Sequence, residues 1–233
     1  KDIRLWQLQE STFTPLVNNK LKEIQQDVLT IDISLKLTGK TDNILKEIQS
    51  TENTFLQSLK DYRTLLQTLM EEKGVPENIK RICQESIETI GTKPHSFLES
   101  APLLEGTADL TGSALMKKTL ENFSSSAMET QSEALGRLSK KKFINDGGTI
   151  AAYLNKEENS AIRDHLTQAG FEPSQVTALA IVGVQRSPRY ELLLESLNDA
   201  DNKTNNGALS SIFTNLIDVY KFRGFIINKN SGG

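Results

Sequence analysis

The stretch "TDNILKEIQSTENTFLQSLKDYRTLLQTLM", Thr41 to Met70, decides the fold class of the chain. Its core-type positions recur at alternating steps of three and four residues, at Leu45, Ile48, position 52, Phe55, Leu59, Tyr62, Leu66 and Leu69. This spacing predicts one apolar stripe along an amphipathic helix of about eight turns. We expect Thr41 or Asp42 to cap the helix, and "KGVP", in which a Gly precedes a Pro, to end it.

Helical patterns also dominate the rest of the sequence. A first helix is expected over about residues 2–28, and "LTIDISLKL", residues 29–37, could form either a strand or an irregular crossover. "NDGG", residues 145–148, is typical of a turn, and Ser174 is expected to cap a long helix. Further helices are predicted near residues 77–90, 114–124, 127–141, 150–154, 158–169 and 209–228. The predicted fold class is therefore all-α, an elongated multi-helix bundle.

Composition restricts the possible classes of function. The chain has 233 residues and a net charge of −3, which argues against nucleic acid as the main partner. Cys83 is the single cysteine, so no internal disulfide can form, and with His95 and His165 it shows no metal-ligand spacing. No glycine-rich phosphate loop is present, so we expect neither a metal nor a cofactor. No apolar run reaches the ~18 residues of a membrane span, and a cytoplasmic location is expected.

Glu52 is the first anomaly, because it occupies the apolar stripe between Ile48 and Phe55. A carboxylate buried there without a partner would cost several kcal/mol. One explanation is an ion pair with a neighbouring helix, or exposure where the bundle ends. The other explanation is that the protein leaves this part of the stripe uncovered, so that Glu52 faces a binding partner.

The second anomaly is "VQRSPRYELLLESL", Val184 to Leu197, in which polar residues interrupt an apolar stretch. Gln185 and Arg189 are four residues apart and would share one face of a helix. Pro188 cannot donate a backbone N–H and is expected to bend or loosen the helix locally. Taken alone, the run is also consistent with a core helix whose arginine is paired.

Together, the two segments resemble conserved regions of Dbl-homology domains, the catalytic modules of guanine nucleotide exchange factors for Rho-family GTPases. "ILKEIQSTENTFLQSLKDY", Ile44 to Tyr62, is similar to the first conserved region, and "VQRSPRYELLLESL" is similar to the third. "IETIGTKPHSFLESAPL", residues 87–103, resembles the segment between them. "FIIN", which ends at Asn228, resembles the family's apolar approach to a late asparagine.

The resemblance implies a fold and a domain organisation. Residues 41–230 would form an elongated bundle of about six main helices. Residues 1–40 have no counterpart in the family. Their partly amphipathic pattern predicts an N-terminal helical extension that packs on the bundle and completes its core, or that covers the exchange face and inhibits it. Family members usually carry a pleckstrin-homology domain after the last helix, and none is expected within this chain.

The resemblance also implies a GTPase-binding face. Glu52 would contact switch I of the GTPase, while Gln185, Arg189 and Asn228 would contact switch II. Supporting positions would be Thr51, Ile48, Phe55, Arg186 and Leu193. Among these, Arg186 would have a structural role, together with Tyr190.

The function implied is exchange of GDP for GTP on a small GTPase of the Rho, Rac or Cdc42 type, without covalent chemistry. The alternative is a non-catalytic helical adaptor or scaffold that binds a GTPase. The chain is expected to be monomeric. The basic run "GRLSKKKF", residues 136–143, is typical of a solvated helix C-terminus, and contact with an anionic membrane is a weaker alternative.

Overall fold

A computed structural model describes residues 10–92 and 96–231, with the side chains of residues 10–14 and 230 not described. The described part of the chain contains eleven α-helices and no β-strand. This confirms the prediction of an all-α bundle. The helices are α1 Glu10–Leu29, α2 Gly39–Glu71, α3 Glu77–Ile90, α4 Phe97–Ser100, α5 Gly112–Phe123, α6 Ser126–Leu138, α7 Lys141–Asn155, α8 Ser160–Gln168, α9 Val176–Leu179, α10 Val182–Thr204 and α11 Ser210–Ser231. Residues 2–9 of the predicted first helix and His95 lie outside the described residues.

Helix α2 is the longest element, and its 33 residues extend for about 50 Å at the rise of an α-helix. It begins earlier than predicted, because Thr38 rather than Thr41 or Asp42 is the cap. The Thr38 hydroxyl accepts a hydrogen bond from the Thr41 backbone N–H at 3.4 Å. The predicted stop is confirmed, since the helix ends at Glu71 and Gly74 follows with a φ of 86°.

The segment between α1 and α2 is an irregular crossover, so the alternative of a strand is wrong. Asp32 organises a local turn, since its carboxylate accepts hydrogen bonds from the Ser34 backbone N–H and hydroxyl at 2.8 and 2.7 Å. Ile31 is buried while Ile33 is exposed. Leu35 and Leu37 are partly buried against the same core. The alternation of apolar residues therefore reflects several anchors of an irregular segment and not a strand paired in a sheet.

The predicted turn at "NDGG" is also wrong, because α7 runs through it without a break. A Cβ atom on Gly147 would lie 2.6 Å from the Ala180 Cβ and 3.1 Å from the Tyr62 hydroxyl. Gly147 is therefore required for close contact of α7 with its neighbours, and not for a turn. The two separate helices predicted near residues 150 and 158 correspond to the end of α7 and to α8.

The basic run 136–143 joins two helices and does not only end one. Arg137 lies in the last turn of α6, as predicted for a C-terminus. Lys141 and Lys142 instead begin α7, where the helix dipole disfavours cations. Lys142 offsets this through ion pairs with Asp146 at 2.6 Å and Glu85 at 2.5 Å.

The segment before α10 is broken rather than one long helix capped by Ser174. A 3₁₀ turn at Pro173–Gln175 leads into the single-turn helix α9, and α10 starts at Val182. Pro188 lies inside α10, so the polar run belongs to a helix and not to a loop.

One continuous core connects these elements and fixes the position of α10. Helix α10 packs against α2 and α11, and it also contacts α6. Helix α1 packs on α5 and α11, and its Lys20 ammonium lies 2.7 Å from the Asp218 carboxylate. The residues of α1 that are buried in the core are Val17, Leu21, Ile24 and Val28. Within the described ranges, no helix combines the length and the apolar character that crossing a bilayer requires.

Candidate functional site

Glu52 is fully buried where α2, α6 and α10 meet, with 0% of its surface exposed. The Tyr190 hydroxyl lies 2.7 and 3.0 Å from the two Glu52 carboxylate oxygens, and the Arg186 Nε donates to one of them at 3.0 Å. The Gln131 amide donates to the other oxygen at 3.2 Å. The hypothesis that the stripe is uncovered at Glu52 is therefore wrong, and the structure shows the alternative, an ion pair with a neighbouring helix.

The surroundings of this carboxylate hold it in place. The Arg186 guanidinium lies 4.8 Å from the centre of the Tyr190 ring and 5.8 Å from that of Phe55, within the range of cation–π attraction. Burial, and then the adjacent Glu52 carboxylate, raise the pKa of Tyr190 well above its ordinary value, so the phenol stays protonated as a donor. Edge-to-face contacts link Tyr190 to Phe123 and Tyr220. The network therefore fixes the position of α10 relative to α2 and α6.

Most of the supporting positions also lie in the interior. Ile48, Phe55 and Leu193 are buried, with 1%, 5% and 3% of their surfaces exposed. Thr51 is half-buried, and its hydroxyl donates to the Glu47 backbone carbonyl one helical turn earlier at 2.7 Å. The three buried side chains hold the helices together and are not placed to touch a partner directly, whereas Thr51 keeps part of its surface exposed.

Gln185 and Arg189 are exposed on the outer side of α10, on the helical face that their spacing predicts. The Arg189 guanidinium forms an ion pair with Glu47 of α2, and the two side chains are 45% and 42% exposed. Because surface ion pairs of this kind contribute little to stability, either side chain can exchange its partner at small cost.

Asn228 is exposed near the end of α11, beside a groove between α10 and α11. The groove has a volume of about 490 Å³, and Val184, Pro188 and Phe225 line it together with Asn228. The structure therefore brings Asn228 next to α10, although 40 residues or more separate these positions in the sequence.

Exposed residues of α2, α10 and α11 together form a surface that we call the three-helix face. It comprises Glu47 on α2, Val184, Gln185, Pro188, Arg189 and Leu192 on α10, and Phe225 and Asn228 on α11. Sequence reasoning missed Glu47, Val184, Leu192 and Phe225. A signal existed for Val184 and Leu192, which lie at steps of four residues from Pro188 and so share one helical face.

Ion pairs between α10 and α11 border the three-helix face. The Lys221 ammonium lies 3.9 Å from the Glu191 carboxylate and 3.7 Å from that of Glu195. Partial burial, and then the nearby Glu195 carboxylate, raise the pKa of Glu191. The border is therefore polar and of mixed charge around an apolar and amide-rich centre.

Comparison of the sequence with models of known protein families gives a match. The family model described as the RhoGEF domain matches residues 44–210, well over half of the chain. The matched region begins in α2, includes Glu52 and all of α10, and ends where α11 starts. No curated protein and no solved structure shows a significant match.

Proposed function

Because the chain belongs to the RhoGEF domain family, whose partners are Rho-family GTPases, we propose that it binds switch I and switch II of such a GTPase. Binding would promote release of GDP and loading of GTP. The family match supports an exchange role toward Rho-family GTPases in general. The contacts with the two switches are our proposal.

The observation that carries this proposal is the composition of the three-helix face. Six large apolar side chains are exposed among the described residues, and three of them lie on this face, namely Val184, Leu192 and Phe225. Exposed apolar side chains concentrated beside polar hydrogen-bonding groups are typical of protein-binding surfaces. Gln185, Arg189 and Asn228 supply such groups at the same place.

Arg189 is the residue to which we assign the main polar contact. Its guanidinium can exchange Glu47 for a carboxylate or carbonyl of switch II, because charge-assisted hydrogen bonds to arginine form readily in a planar geometry. Gln185 and Asn228 would add amide hydrogen bonds on either side. Glu47, released from Arg189, could accept hydrogen bonds from switch I.

Glu52 receives a positioning role in this proposal. Tyr190, Arg186 and Gln131 already engage its carboxylate, so contact with switch I would require those buried hydrogen bonds to break. We infer that Glu52 acts on the GTPase through the placement of α10, which carries Gln185 and Arg189.

Exchange by this surface would follow from thermodynamic linkage. A protein that binds the nucleotide-free GTPase more tightly than the nucleotide-bound form must weaken nucleotide binding by the same factor. Holding both switches away from the phosphates and Mg²⁺ would create that difference. An interface on the order of 2,000 Å² would be needed to offset the lost nucleotide contacts.

Release of fluorescent GDP from GTPases of the Rho, Rac and Cdc42 types tests the proposal. We expect the chain to accelerate release from at least one of them, and Arg189→Glu to reduce the acceleration by about tenfold or more through charge reversal at the contact. Arg81→Glu is the matched control, because Arg81 lies on α3 with 70% of its side chain exposed.

Two outcomes would contradict the proposed exchange function. If no GTPase of the panel releases nucleotide faster, the proposed exchange function is wrong. If a GTPase binds without faster release, the chain is a GTPase-binding adaptor and the three-helix face is only a docking surface.

A further inference from the structure

Pro188 lies inside α10, and the helix continues past it to Thr204. Proline has no backbone N–H, so Pro188 cannot donate the helical hydrogen bond to the carbonyl four residues earlier, which belongs to Val184. The proline ring also crowds that carbonyl and disfavours its normal position in the helix. Because proline is the least favourable residue in the interior of an α-helix, α10 is destabilised at this point.

The Val184 carbonyl lies at the groove between α10 and α11. A helical carbonyl points along the helix axis toward the residue four positions later, and Val184 and Pro188 both line this groove. Among the described residues, no side chain donates to this carbonyl, and no turn or cap hydrogen bond ends on it. Because Val184 is 37% exposed, its carbonyl is a main-chain acceptor at the surface and not a buried unpaired group.

The residues around this break hold α10 in place. Arg186 and Tyr190 both bind the buried Glu52 carboxylate, at 3.0 and 2.7 Å. Ser187 is buried beside α11, where a Cβ atom on Gly224 would lie 4.0 Å from the Ser187 hydroxyl oxygen. An unfavourable local conformation persists where the surrounding structure fixes it, and such sites cluster where proteins bind their partners. The network therefore presents the carbonyl in a fixed direction.

The carbonyl complements the other polar groups that α10 and α11 contribute to the three-helix face. The Arg189 guanidinium can only donate hydrogen bonds, and the Gln185 and Asn228 amides can donate or accept. A main-chain carbonyl can only accept, and the exposed side chains of Val184 and Phe225 lie at the same groove. This combination fits a chain segment that offers a backbone N–H next to an apolar side chain.

We propose that the Val184 carbonyl, left free by Pro188, accepts a hydrogen bond from a backbone N–H of switch II of the GTPase. An apolar side chain beside that N–H packs on Val184 and Phe225. Val184 is then a further contact residue of the three-helix face, and Pro188 is a positioning residue that acts through it. This inference rests on the proposed exchange function and adds to it an acceptor on the main chain.

Selective labelling isolates this one carbonyl, because Val is followed by Gln only at Val184–Gln185 in the sequence. In the full chain labelled with ¹³C at the Val carbonyls and ¹⁵N at Gln, a single cross-peak connects the two groups. Nucleotide-free GTPase, of the type whose GDP release the chain accelerates most, is the probe. We expect its addition to move the Val184 carbonyl ¹³C shift downfield and saturably, as acceptance of a hydrogen bond requires.

Pro188→Ala restores the missing N–H, so that α10 can close its own hydrogen bond to Val184. We expect the amide at position 188 to be protected from hydrogen–deuterium exchange and the midpoint of thermal denaturation to rise. The downfield shift of the Val184 carbonyl on GTPase binding should shrink. GDP release should slow although the domain is more stable, which a purely structural role of Pro188 does not predict.

Replacement of Pro188 by lactate, made by cell-free nonsense suppression, is the matched control. Lactate has the methyl side chain of alanine, but an ester oxygen stands in place of the N–H, so the Val184 carbonyl stays free. The proline ring is absent from both variants, and its packing therefore does not affect the comparison. We expect GDP release with the lactate variant to be faster than with Pro188→Ala by about threefold or more, the effect of one hydrogen bond.

Equal GDP release by the two variants, with the amide at position 188 protected in Pro188→Ala, would overturn the proposal. A Val184 carbonyl shift that stays unchanged on GTPase binding would also overturn it, and this shift decides the matter if that amide is not protected. In both cases the exchange function stands as long as Arg189→Glu still slows GDP release. If the chain accelerates no GTPase, the exchange function and this contact are both wrong.

Discussion

Three donors, from Tyr190, Arg186 and Gln131, surround the Glu52 carboxylate inside the bundle. Removing one partner of a buried ion pair leaves the other charge without compensation. We therefore expect Glu52→Ala to lower the free energy of unfolding by about 3–5 kcal/mol. Urea denaturation measures this, and Glu47→Ala is the control, with an expected loss of about 1 kcal/mol or less for a half-exposed pair.

The same residue distinguishes a positioning role from direct contact with the GTPase. In a Glu52→Met, Arg186→Met double variant, apolar side chains replace both charges, while Gln131 can still donate to the Tyr190 hydroxyl, 2.6 Å away. Stability should largely return, since apolar replacements of buried ion pairs are often neutral. Any exchange activity that the Glu52→Ala variant loses through displacement of α10 should be restored in this double variant. Activity that stays lost in a stable double variant would mean that Glu52 itself contacts switch I.

Cys83 predicts how stability changes at alkaline pH. Burial raises the pKa of its thiol from 9.0 to about 12. Above pH 9 the unfolded chain loses this proton while the folded chain retains it, so stability falls as pH rises from about 9 to about 12. The slope from one group is up to about 1.4 kcal/mol per pH unit. Urea denaturation between pH 8 and pH 10 should show the fall, and Cys83→Ala should make it less steep. A residual slope is expected from Tyr62, Tyr190 and Tyr220, because burial also raises the pKa of these phenols. An unchanged slope in Cys83→Ala would contradict the assignment.

At the scale of helices, two adjacent glycines in α7 have opposite roles. Gly147→Ala would force a Cβ atom to within 2.6 Å of Ala180, so we expect a loss of about 1–3 kcal/mol through overpacking. Gly148 has nothing within 4 Å of that position, and Gly148→Ala should stabilise the protein by about 0.5–1 kcal/mol. Thermal denaturation of the two variants measures both effects. Equal responses would show that α7 does not pack closely at Gly147.

At the scale of the whole molecule, α1 belongs to the same core as the other helices. Ile24 is completely buried, so Ile24→Ala should cost about 2–5 kcal/mol of stability. Because no residue of the three-helix face lies on α1, we expect nucleotide exchange per folded molecule to remain unchanged. Thermal denaturation and GDP release, measured on the same preparation, test both statements. Faster exchange in Ile24→Ala would instead indicate that α1 covers the exchange face.

Local patterns predicted a large part of this fold. The alternating spacing of apolar residues in α2 reports burial directly, because a helix repeats every 3.6 residues whatever it packs against. The same periodicity predicted that Gln185 and Arg189 share the outer face of α10. The turn predicted at "NDGG" failed because turn propensity is weak, and contact of Gly147 with Tyr62 and Ala180 outweighs it.

The sequence by itself determined the helical class, the long helix α2 and the polar face of α10, because these depend on neighbours three or four residues apart. Only the tertiary structure decided the burial of Glu52, whose partners Gln131, Arg186 and Tyr190 lie 79 to 138 residues away. A charge is paired or unpaired according to which helices meet around it, and helical periodicity carries no information about that meeting.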